Sequence, residues 1–237
     1  MVSFLIYQPD VPLRDMAVLV FLHGIGEAFE DSKTGNVGFK NLFQQGVPKA
    51  LHDPINSLSD NHPLRTGAFV VVVPQLMMRE TPWEQKGHAM QIRRVLDTIA
   101  PEAQRSVYLI GFSKGGGAAF QLARDLKARA VVTIDASPIN RDPGEVAQEM
   151  FNCEFPVWSI YTRYRPERNS GKISELHARM TVPEHEVRSP DAIASPAEGA
   201  KHKSLIVLDN VAENERHSAL CTIVTTSVAP YEWLLKH

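Results

Sequence analysis

The chain has 237 residues and a mass of 26.4 kDa, with 43% hydrophobic residues, enough for one α/β domain with a substantial core and too few for two; a single domain over residues 1–237 is expected. Its 25 Lys and Arg against 27 Asp and Glu leave a formal net charge of -2, and no long basic run is interleaved with aromatics, which excludes the electrostatic footprint of a nucleic-acid binder. No apolar stretch is long enough to span a membrane, and Cys153 and Cys221 are too few for a disulfide framework or a zinc site, so the expectation is a cytoplasmic protein with a small-molecule partner and no metal or other cofactor.

In chain order, the segment Met1 to Asp10 has a short apolar run with no basic region before it and fits a strand, Phe4 to Tyr7, rather than a signal peptide. A second strand, Ala17 to Leu22, runs into His23, Gly24, Ile25, Gly26 and Glu27. From Glu27 to Thr66 the sequence is rich in Gly, Pro, Asn and Asp, with one helix expected around Phe39 to Leu51. Strand Ala68 to Val73 follows, then an amphipathic helix on which Ala89, Ile92, Leu96 and Ile99 step by three and four. Strand Ser106 to Ile110 leads through Gly111, Phe112, Ser113, Lys114 and Gly115 into a second such helix, marked by Ala119, Leu122, Ala123 and Leu126. Strands Ala130 to Ile134, Val157 to Tyr161 and Ser204 to Leu208 complete the series, the last preceded by a polar excursion from Pro183 to Lys203. Continuous apolar strands alternating with helices indicate an α/β fold. A mostly parallel central sheet of about seven strands is expected, with helices on both faces.

Chemistry concentrates at the turn around Ser113. A nucleophile placed on a sharp strand-to-helix turn needs small residues two positions before and after it, because side chains there would collide with the neighbouring strand and helix. Gly111 and Gly115 meet that need. The turn also leaves the Lys114 amide at a helix N-terminus, where it can hold a developing oxyanion. The strand ending in His23 and Gly24 lets the backbone turn so that the Ile25 amide supplies a second donor. His23 itself is read as a ring that braces this loop, and Glu27 as a loop residue. A serine nucleophile requires a base, which in this arrangement follows the last strand, and His217 stands there. The other histidines fit worse: His177 lies in an apparent helix, His88 at a helix start, His52, His62, His185 and His202 in polar loops, and His237 at the terminus.

With these residues in place the chain resembles an α/β-hydrolase, and most of all the small esterases and predicted peptidases related to feruloyl esterases and polyhydroxybutyrate depolymerases. The resemblance is carried by Phe21 to Glu27, by Val73, Pro74 and Gln75 with Pro82 and Trp83, by Arg105 to Gly117, by Pro156 to Ile160, by Arg216 and His217, and by Tyr231 to Leu235. It implies a fold with no large lid domain and a cofactor-free serine esterase, cleaving esters or thioesters of small or soluble substrates through an acyl-enzyme on Ser113. Relatives carry the triad aspartate in a His-Gly-x-x-Asp segment after the strand equivalent to Val157 to Tyr161. Here Thr162, Arg163, Tyr164 and Arg165 follow instead.

A carboxylate is still needed to hold the imidazole in the right tautomer. Asp135, after strand Ala130 to Ile134, is the first candidate, since some lipases and thioesterases of this fold place the acid after that neighbouring strand. Glu167 is the second and Asp209 the third. Asp135 could instead form an Asx turn with Ser137, and a triad without an acid would leave a hydrolase-fold protein that binds a ligand or partner without turnover. Arg163, Arg165 and Arg168 cluster where the acid is missing and would attract a substrate bearing a carboxylate or phosphate.

Overall fold

The computed structural model describes residues 2–9, 16–31, 35–85, 87–138, 141–162, 184–187, 202–207 and 216–237. Eight strands form the main sheet: β1 Val2–Tyr7, β2 Met16–Leu22, β3 Val70–Leu76, β4 Arg105–Phe112, β5 Ala130–Ile134, β6 Val157–Thr162, β7 Glu184–Val187 and β8 His202–Val207. Their order is β1-β3-β2-β4-β5-β6-β8-β7; β1 pairs antiparallel with β3 and every other pairing is parallel. The strand beyond the expected seven is β7, inside the stretch read as a polar excursion. As the edge strand, Glu184 to Val187 needs no apolar run to be paired.

β3 runs three residues past its expected end, through Pro74. Its ladder with β2 stops at Val72, so the missing Pro74 N–H falls beyond that ladder and costs no bond. The helix expected from Phe39 to Leu51 is broken into a 3-10 turn, Phe39–Gln44, and α1, Gly46–His52. The break falls at Gly46, whose φ of 75° favours glycine and whose hydrogen occupies space that a Cβ would contest with the Phe21 ring. Five further helices of seven or more residues are α2 His88–Ile99, α3 Lys114–Leu126, α4 Pro143–Asn152, α5 Arg216–Thr226 and α6 Ala229–Leu235. Proline at its first position starts α4, and Asp142 Oδ1 accepts from the Gly144 and Glu145 amides at 2.8 and 3.1 Å.

Strand periodicity divides the core in two. Val18, Val20 and Leu22 of β2 pack with Leu109, Ile92, Leu122 and Met150, beneath α2, α3 and α4. Leu19 and Phe21, on the opposite face, pack with Ile110, Phe112, Val47, Cys221 and Trp233, beneath α1, α5 and α6. Both faces are covered, which is why these strands read as unbroken apolar runs. β2, β4 and β5 are parallel neighbours, so their C-terminal ends, Leu22, Phe112 and Ile134, share one edge, and the chain leaves each of them into a candidate site loop. Among the described residues no helix is long and apolar enough to cross a membrane.

Candidate active site

At the end of β4 the chain turns through Ser113 with φ 51° and ψ -115°, and α3 begins at Lys114. A side chain other than glycine rarely adopts such a φ, and holding it there costs about 1–3 kcal/mol unless the surroundings over-determine it. They do. The Ser113 amide donates to Ile134 O at 2.8 Å, and its carbonyl accepts from the Ser137 amide at 2.8 Å and the Gly117 amide at 3.1 Å. Both backbone groups of Ser113 are therefore tied to the segment leaving β5. Its side chain makes no capping bond to the helix it begins.

Four glycines make this packing feasible. A Cβ on Gly111 would approach Gly115 O at 2.6 Å, and one on Gly115 would overlap the Leu22 carbonyl. One on Gly116 would come within 2.9 Å of Ala136 Cα, and one on Gly117 would overlap the Ser137 carbonyl. The run Gly115, Gly116, Gly117 is thus a seat on which two loops rest, the His23 loop on the first glycine and the loop after β5 on the other two. Gly111 and Gly115 were singled out by the sequence. Gly116 and Gly117 were not, although a triple glycine in the first turn of a helix is itself a signal of close backbone approach.

The loop after β5 brings Asp135, 1% exposed and with φ 43°, to His217 in the first turn of α5. Asp135 Oδ2 lies 2.9 Å from His217 Nδ1, and the Asp135 amide donates to Ile160 O at 2.8 Å. With Nδ1–H donating to the carboxylate, the neutral ring presents Nε2 as its acceptor. The imidazole stays 27% exposed. Its ring lies 4.5 Å from that of Phe112, tilted by 34°. One turn further along α5, Cys221 is fully buried; burial, with Glu27 and Asp135 nearby, pushes its thiol well above the usual value and keeps it unreactive.

The His23 loop is held by side chains from three other segments. Burial lowers the His23 pKa from 6.5 to about 4, so the ring is neutral; Nδ1–H donates to Gly24 O at 2.5 Å and Nε2 accepts from the Leu76 amide at 3.1 Å. Trp83 meets the ring edge-on at 4.9 Å and donates to His23 O at 3.1 Å. Gln75 Nε2 donates to Glu27 O at 2.9 Å, Asn41 Nδ2 to Ala28 O at 2.8 Å, and Gln45 Nε2 to the Glu27 carboxylate. At Gly24 a Cβ would meet Glu27 Oε2 at 3.0 Å and the Phe112 ring at 3.1 Å. Ile25, half-buried, follows at once.

Lys114 contributes differently through its two ends. Nζ donates to Arg79 O and Thr81 O at 2.8 and 2.7 Å, and burial holds the ammonium below its usual pKa against the pull of Glu84 and Glu80. The side chain thus fastens the turn after β3. His62, expected in a polar loop, is buried against Tyr231, its centroid 4.7 Å away. Glu167, Asp209 and the Arg163, Arg165, Arg168 cluster lie outside the described residues. Among the described residues no group of three or more His, Cys, Asp or Glu side chains could hold a metal ion.

No protein-family model matches the chain, and no curated protein sequence does. Solved structures match it along nearly its whole length. One is an α/β serine hydrolase without a lid from Xanthomonas campestris, at a TM-score of 0.54 and 12% identity over 98% of this chain and 88% of that one. Another is the esterase domain of a Rhodothermus marinus protein, at 0.53 and 13% over 98% of each chain. A third is an α/β serine hydrolase homologue from Coxiella burnetii, at 0.52 and 13% over 99% and 90%. The chain has the α/β-hydrolase fold.

Proposed function

We propose that this chain is a serine hydrolase that cleaves carboxylic esters, and thioesters by the same chemistry, through an acyl-enzyme on Ser113. The observation that carries the reading is the 2.9 Å pairing of His217 Nδ1 with the buried Asp135 carboxylate, on a loop whose backbone also grips Ser113. Such a pair holds the imidazole as a base with Nε2 available and stabilises the imidazolium once it forms.

In the first half-reaction Ser113 Oγ attacks the ester carbonyl and its proton passes to His217 Nε2. The Ile25 and Lys114 amides hold the oxyanion, each contributing about 3 kcal/mol in the transition state. Collapse breaks the acyl–oxygen bond, and the leaving alcohol takes the proton from His217. Water then repeats the sequence on the acyl-enzyme and releases the acid. The motif resemblance to small esterases, carried by Phe21 to Glu27 and Arg105 to Gly117, supports esters of small or soluble substrates.

A fluorophosphonate probe tests the nucleophile without the right substrate. Wild type is expected to label, and Ser113→Ala and His217→Ala, shown to be folded, are expected not to. Absence of labelling in folded wild type would replace this reading with a ligand- or partner-binding role for the same fold.

A further inference from the structure

Phe112 is the residue before Ser113, and neither the elbow motif nor the proton relay gives it a task. Period-two alternation along β4 puts it on the same face as Ile110, beneath α5, and it is 1% exposed. Its ring meets two things at once. On one side is the His217 imidazole, with centroids 4.5 Å apart and planes tilted by 34°. On the other is the Gly24 backbone, so close that a Cβ there would come within 3.1 Å of both Cδ1 and Cε1. We propose that Phe112 is a positioning residue that sets the orientation of the His217 ring and braces the loop carrying the Ile25 amide. The inference rests on the hydrolase reading given above.

The residue type fits the task. The Asp135 bond fixes one atom of the imidazole and leaves rotation about that contact open; a flat ring packed at a shallow tilt removes it. Phenylalanine has no hydrogen-bonding atom to compete with Asp135 for Nδ1 or with the serine for Nε2. When the imidazolium forms, its charge lies near an aromatic face, an arrangement that favours the charged ring. The same ring crowds the space beside Gly24 that a Cβ would contest, so base and oxyanion loop share one rigid spacer.

The test is Phe112→Leu, which keeps an apolar side chain and removes the flat face, with Phe112→Met as a second variant able to fill the gap. Folding is checked by thermal melts. kcat on an ester that wild type cleaves is expected to fall about ten- to a hundred-fold, with KM changed less than about twofold, because the loss is one of geometry in the transition state. Probe labelling should slow in parallel. A readout independent of turnover is NMR of the His217 ring. Wild type is expected to show upfield ring-current shifts of its carbon-bound protons and a nuclear Overhauser effect to the Phe112 ring, and the leucine variant to lose those shifts. Unchanged kcat in a folded variant, or no Overhauser contact in wild type, would overturn the proposal. If wild type neither labels nor turns over, the hydrolase reading fails while the NMR arms still decide whether Phe112 holds the ring.

Discussion

The loop after β2 and the first turn of α5 each bring a histidine to the C-terminal edge of the sheet, and the two rings are treated in opposite ways. His23 is fully buried with both nitrogens bonded to backbone, Nδ1 to Gly24 O and Nε2 to the Leu76 amide. His217 is 27% exposed, with one nitrogen on a buried carboxylate and the other left to meet a partner. Burial holds His23 neutral down to about pH 4. A ring that is enclosed and bonded on both sides is a strut, whereas one that is bonded on one side and open on the other can move a proton. Sequence position, after the last strand for His217 and in a glycine loop for His23, marked the two apart without giving the reason. What separates them is the chemistry that meets each nitrogen.

Substitutions at the two sites should therefore fail in different ways. The largest expected effect is on the open ring: His217→Ala lowers kcat by about a million-fold, with a smaller loss of stability than at His23, since Asp135 loses one bond and no backbone group loses any. Asp135→Asn comes next, with a fall of about ten-thousand-fold because the asparagine favours the wrong tautomer. Steady-state kinetics on one ester and a melting curve for each protein check both, and a large loss of stability in His217→Ala would erase the contrast. His23→Ala should show the reverse pattern. It leaves the buried Leu76 amide and Gly24 carbonyl without the ring's two bonds, at about 1–3 kcal/mol for each. Urea unfolding of His23→Ala beside wild type measures the loss.

The pH dependence sharpens the same contrast. The folded pKa of His23 lies below 6.5, so the unfolded chain binds the proton first. The stability it contributes is whole above about pH 6.5 and drains as pH falls through 4, by about 3 kcal/mol in total. His62, also lowered to about 4 by burial, pulls in the same direction. Urea midpoints between pH 7 and 4 should decline in wild type and decline less in His23→Leu. Smallest of all should be Gly26→Ala in the middle of the braced loop, since a Cβ there meets nothing within 4 Å. A change in stability under about 0.5 kcal/mol is expected, and a large one would show that the loop is held more tightly than its packing indicates.

Residues at strand ends carried most of what the sequence revealed. Ser113, His217 and Asp135 stand out because each follows a recognisable apolar run, and a strand end in a parallel sheet is a known place in space. The fastenings of the His23 loop were not legible. Gln75, Asn41 and Gln45 lie well along the chain from this loop, and only the fold brings the Gln75 and Gln45 amides to the Glu27 backbone and carboxylate and the Asn41 amide to Ala28 O. Phe112 was hidden for another reason: an apolar residue in an apolar strand looks like core whatever it touches. Edge strand β7 escaped because pairing through the backbone leaves no apolar pattern. The start of α4 could have been read, since Asp142 before Pro143 is the signature of a capped helix.

The crossover β4, α3 and β5 is continuous in the chain, and it carries Ser113 near its beginning and Asp135 at its end. His217 comes from 82 residues beyond Asp135. Loop-closure entropy for meeting the first two is that of a short local unit, while the third must be recruited over a long span. The expected order of folding follows: Ser113 and Asp135 take their places with the central sheet, and His217 joins them only when α5 docks. Hydrogen exchange is expected to find the amides of α5 less protected than those of β4 and β5, and a partial opening that frees α5 would part His217 from Asp135 while the sheet stays folded.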